Sequence, residues 1–121
     1  MSQLTPNELY DWFLATIEES STLALLQSDE DVERRLLEDF DIDSRTFFHD
    51  ENLQVLLTNN LINEEVASLA RQLRKEAASL RETSAWSISA VRSGTDEWRS
   101  LLALSDQILA LVSSPPTHAR R

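Results

Sequence analysis

Residues 63–81, NEEVASLARQLRKEAASLR, decide the fold class. Asn63 is a helix N-cap residue with two glutamates behind it, where the positive end of a helix dipole favours negative charge. Val66, Leu69, Ala70, Leu73, Ala77 and Leu80 then recur at helical spacing, with Arg71, Arg74, Lys75 and Arg81 on or beside the opposite face. The stretch is an amphipathic helix that needs partners for its apolar stripe.

Those partners lie on both sides. Thr5-Pro6-Asn7-Glu8 opens a helix with a capping box and a proline in the first turn. Leu9, Trp12, Phe13 and Ile17 follow as its inner face, and Ser20-Ser21 ends it. Thr22 to Gln27 reads as a helical turn or a connection. Ser28 with Asp31 starts a second helix, whose stripe is Val32, Leu36, Leu37 and Phe40. Leu53, Leu56 and Leu57 mark a third over 50–60. Residues 83–93 fit either a strand, with Trp86, Ile88 and Ala90 alternating, or a short helix. Gly94, the sole glycine, breaks that pattern, and Thr95 caps a last helix with Trp98, Leu101, Leu102, Ser105, Ile108, Leu109 and Val112 inward. Pro115-Pro116 stops it. The expectation is all-α: one bundle of about five helices over residues 1–114, with a flexible tail over 115–121.

Composition narrows the function. No cysteine is present, which excludes disulfides, thiolate metal ligands and thiol catalysis. The glycine turns that phosphate-binding loops need are missing. No stretch at the start reads as a signal peptide and no apolar run is long enough for a membrane span, so a cytoplasmic location is expected. His49 and His118 are the only histidines; His49 beside Asp50 has half of an acid–base pair but no nucleophile with an orienting third group, and His118 falls in the tail. An enzyme is not expected, and neither is a cofactor.

The net charge is −10 and unevenly spread. Residues 1–65 hold 16 acids and 3 bases, a balance of −13; residues 66–121 hold 5 acids and 8 bases, a balance of +3. Such a front half repels nucleic acid and anionic membrane and attracts a basic partner, although a charge run also serves plain solubility. The candidate partner-binding residues are Asp29, Glu30, Glu33, Asp39, Asp41, Asp43, Asp50 and Glu51. Asp39, Asp41, Asp43 and Asp50 also stand at positions 1, 3, 5 and 12 of a calcium-loop spacing. Ser44 stands there in place of the turn glycine, and Asp50 is shorter than the usual bidentate glutamate. The plainer expectation is an acidic connection with Asp43 or Ser44 capping a turn, and no metal. Of the tryptophans, Trp86 is the one whose burial no clear stripe explains.

One stretch resembles a known group. VRSGTDEWRSLLALSDQILAL, residues 91–111, looks like the C-terminal helix of small bacterial immunity proteins of polymorphic toxin systems, including contact-dependent growth inhibition. Val91-Arg92, Glu97-Trp98 and Asp106 with Ile108 carry the likeness, about a sixth of the chain. It implies a cytoplasmic protein that binds a cognate toxin domain and blocks it; the motif supplies no binding residue. With the acidic front half, the expected function is neutralisation of a basic toxin domain, a nuclease among the fitting classes. The alternative is an acidic adaptor or chaperone that holds a partner helix in an apolar groove.

Overall fold

The computed structural model describes residues 4–113, and among them there is no strand. The elements are α1 (Pro6–Glu19), a 3₁₀ turn (Thr22–Leu26), α2 (Asp29–Val32), a π-helical segment (Glu33–Asp39), α3 (Phe40–Phe47), α4 (Asp50–Thr58), α5 (Glu64–Arg81), α6 (Ile88–Ser93) and α7 (Asp96–Ser113). The expected all-α bundle is the observed architecture. The expected tail, with His118, lies outside the described residues.

The capping residues start the helices where the sequence places them. Thr5 Oγ1 accepts from Glu8 N at 3.1 Å while Glu8 Oε1 accepts from Thr5 N at 2.9 Å, a complete capping box. Ser28, Asn63 and Ser87 cap α2, α5 and α6 with a single bond each, their side chains accepting from Asp31 N, Val66 N and Ala90 N. Residues 83–93 contain no strand; the short helix α6 ends at Gly94, whose φ of +71° is a left-handed cap that a side chain adopts only with strain.

α5 and α7 form the most extensive helix pair, and α1 packs on α7, α3 and α4. Leu73, Ala77, Trp98, Leu101 and Ile108 are fully or almost fully buried. Most of the residues singled out in the stretch over 91–111 serve this packing, and Glu97 is exposed. Val91 and Ile108 are in the core. The Trp98 indole donates to Ala85 O at 2.7 Å. Arg92 donates to Leu25 O and Gln27 O, each at 2.7 Å, and tethers the 3₁₀ turn to α6. Asp106 accepts from Thr22 N and Thr22 Oγ1. Inside, Ser20 and Ser105 hydroxyls pair at 2.7 Å between α1 and α7.

The segment expected to be a connection over 39–50 is helical as far as Phe47, and this is a correction. α2, the π segment and α3 run on as one helix over residues 29–47, followed by a single turn into α4. The cause is the apolar pattern: Phe40, Ser44 and Phe48 are spaced by four and all buried. On a regular α-helix, at about 100° per residue, Val32 and Phe48 would stand about 160° apart, yet both are fully buried. The π turn absorbs that drift, with Phe40 N bonding to Arg35 O, five residues back. It also lets both Leu36 and Leu37 face inward. The Trp86 indole donates to Leu37 O at 3.0 Å and packs on Trp98 at 5.0 Å between ring centroids. Trp86 therefore ties the loop before α6 to the π segment.

Candidate functional site

The eight nominated carboxylates fall into three groups. Asp29, Asp41 and Asp50 are engaged by the chain's own arginines. Arg92 Nε lies 2.7 Å from Asp29 Oδ1. Asp41 meets Arg81 at 2.7 Å and Arg45 at 3.0 Å. Asp50 meets Arg71 at 3.3 Å and Arg74 at 3.6 Å. The basic face of α5 is thus turned on the acidic front half, and the negative charge at these three positions is largely spent inside the fold. Arg74 also donates to Phe48 O at 2.8 Å, closing the turn between α3 and α4.

Glu30, Glu33 and Glu51 form the second group. They are exposed, and no basic side chain among the described residues lies within ion-pair distance of them. Glu30 and Glu33 are three apart at the start of the helix over 29–47, so they share its outer face; Glu38 is exposed further along it.

Asp39 and Asp43 belong to a third group that the sequence reading missed, because its centre is Glu19 on α1. α1 and α3 run side by side in opposite directions. Trp12 stacks on Phe47 with centroids 5.4 Å apart and planes within 5°. Seven residues on along α1 and four back along α3, Glu19 meets Asp43. Burial first, then the negative charge of Asp43, a hydrogen bond to Asp43 and the negative charge of Asp39 together raise the Glu19 carboxyl from 4.5 to about 8. Glu19 is also the last residue of α1, at the negative end of the helix dipole. Burial likewise raises Asp43, with Asp39 adding to the effect, while its hydrogen bond from Glu19 opposes it. At neutral pH the two carboxyls therefore hold one proton between them. Glu19 Oε1 is sealed from water and has no hydrogen-bond partner. Arg35 is the positive charge that acts on Glu19, and its influence is the weakest of those on that carboxyl.

The helical course of 39–47 spreads Asp39, Asp41 and Asp43 along a cylinder instead of wrapping them around a point, so the calcium-loop geometry does not form. Among the described residues no three His, Cys, Asp or Glu side chains come together in a metal-holding group. His49 is the N-cap of α4: its Nδ1 accepts from Glu51 N at 3.1 Å, a structural task that fixes the ring at the start of that helix.

Trp12 departs from its expected inward position. It is 47% exposed, at the edge of α1, and Ile42 on the outer side of α3 is 62% exposed. The described helices include none long and apolar enough to cross a membrane. Comparisons of the chain with family models, with curated proteins and with solved structures match nothing.

Proposed function

We propose that the protein is an immunity-type inhibitor, which binds a cognate toxin domain of basic surface and occludes its active cleft. The observation that carries this reading is the run of carboxylates on the outer side of the helix over 29–47. Glu30, Glu33, Glu38 and Asp39 stay exposed with no arginine or lysine partner among the described residues, while the same chain spends its α5 arginines on Asp41 and Asp50. Negative potential gathered in this manner steers a basic protein and raises its association rate. A nuclease is one fitting class of toxin, since its substrate cleft is itself basic. The family-like stretch over 91–111 supports the class and, consistent with its role in packing, not the contact.

The test is binding to the candidate toxin domain encoded by the neighbouring gene. Glu30→Lys with Glu33→Lys is expected to slow association about tenfold at low salt, with the difference shrinking as salt screens the exposed charges. An association rate indifferent to both salt and charge reversal overturns the reading.

The adaptor reading has two grooves in its favour: one of about 800 Å³ where Leu57, Leu61, Ile62, Val66 and Leu111 alternate with Gln54, Thr58, Asn60, Asn63 and Glu64, and one of about 780 Å³ between α5 and α7. Leu80 and Ala85 give the second an apolar floor, but Gln72, Lys75, Glu97 and Ser100 border it; the first has the aliphatic anchors that a groove for an amphipathic helix needs and is the better site for that alternative. The acidic inhibitor is the better-supported function.

A further inference from the structure

We infer, resting on the basic-partner reading, that the centre of the contact is the exposed edge where α1 meets α3, and that its occupant is a basic protein segment with apolar side chains between its arginines or lysines. Three observations lead there. First, Trp12 and Phe47 form a parallel aromatic stack at the surface, with Trp12 about half-exposed. A flat, pre-ordered aromatic face of this kind is the residue chemistry that dominates interface energetics. Second, Ile42 stands 62% exposed on the outer side of α3, about 140° round that helix from Phe47, so it borders the edge from the solvent side. Third, the charged side chains beside the aromatic pair are mostly acidic among the described residues: Asp43 in α3 and Asp39 in the π segment follow it along the seam, exposed Asp11 lies next to Trp12 in α1, and Arg35, which acts on Glu19, is the nearby cation. The nearest arginine in α3, Arg45, is held by Asp41 at 3.0 Å.

Charge complementarity then selects the occupant. A second copy of this chain would bring like charge against like, since the same seam is acidic in both. An acidic or neutral segment would leave Asp39 and Asp43 facing no cation. A basic segment satisfies both halves of the surface: its apolar side chains cover Trp12 and Phe47 and extend toward Ile42, and its arginines reach Asp39 and Asp43, where a guanidinium binds two oxygens at once. The exposed acids at Glu30 and Glu33 steer the encounter from further along the same helix.

The experiment is a titration of the ¹⁵N-labelled protein at low salt with an acetylated peptide of repeated Leu-Arg-Arg-Leu units, followed by amide shifts. Its control is the same peptide with glutamate for arginine. The expected result is a set of shifts concentrated over residues 12–19 and 39–47 with the arginine peptide and none with the control. Trp12→Ala is expected to weaken binding about tenfold. Ile42→Ala, at a position too exposed to matter for folding, is expected to weaken it by a smaller factor. Shifts confined to residues 29–33, or unchanged affinity in both variants, overturn the inference while leaving a basic partner for the acidic ridge. No shift anywhere overturns the inference and the basic-partner reading together.

Discussion

Two helix seams in this molecule are built from opposite materials. Where α5 meets α7 the contact is made by Leu73, Ala77, Leu101, Trp98 and Ile108, all buried, and the polar atoms inside it have partners. Where α1 meets α3 the inner contacts are Phe13, Phe40 and Phe48, in edge-to-face arrangement, but the outer edge holds a half-exposed tryptophan stack and a carboxyl pair that keeps a proton at neutral pH. The first seam has the composition of a core. The second gives up stability at its rim, which is the pattern expected where a surface has a task other than holding the fold.

The largest expected break in that contrast is Trp98→Ala. It empties a fully buried site and leaves Ala85 O without its donor, so a loss of about 3–5 kcal/mol is expected in urea unfolding. Trp12→Ala, the same substitution in the other seam, is expected to lose well under half as much. Equal losses would mean that Trp12 is a core residue.

Glu19→Gln sharpens the contrast in the opposite direction. The folded-state carboxyl titrates at about 8, above its unfolded value of 4.5. The proton is thus held more tightly in the folded protein; the stability it contributes is full below about pH 4.5 and is lost as pH rises through about 8. Glutamine stays neutral throughout. The variant is expected to match the parent near pH 4 and to exceed it above pH 8 by about 1–2 kcal/mol, a figure reduced for the half-exposure of the side chain. Thermal midpoints across pH 4–9 check this, and a pH-independent difference would contradict it.

Trp86→Phe is the smallest change of the three. It keeps a ring against Trp98 but removes the indole donor to Leu37 O, at an expected cost of about 1 kcal/mol. Faster amide exchange over the π segment, residues 33–39, is expected with it; exchange changes confined to residues 83–87 would show that Trp86 does not anchor the π turn.

The two seams also differ in how legible they are in the sequence. The α5–α7 seam can be read directly, because Val66, Leu73, Ala77 and Leu80 and then Trp98, Leu101, Leu102 and Ile108 follow one unbroken period, and Asn63 and Thr95 mark where each helix starts. The α1–α3 seam breaks that rule twice. Asp39, Asp41 and Asp43 are poor helix formers in a loop-like spacing, and they mask the Phe40, Ser44, Phe48 stripe that makes 40–47 helical. A π turn changes the period, so a 100° template loses register across it. The carboxylate partners were beyond reach for another reason. Asp50 with Arg71, and Asp29 with Arg92, are 21 and 63 residues apart, and Glu19 meets Asp43 only because two helices run antiparallel. Charge balance located the acidic half of the chain; only the packing separates the acids that are neutralised from those left free.

The most direct measurement is the carboxyl ¹³C shift of Glu19 followed from pH 3 to 10, first in the free protein and then with the arginine-rich peptide bound. A midpoint near 8 that falls when the peptide binds is the predicted result, because a cation takes over the role of the shared proton. A midpoint near 4.5 in the free protein would contradict the account, since the α1–α3 edge would then be ordinary solvated surface with nothing withheld for a partner.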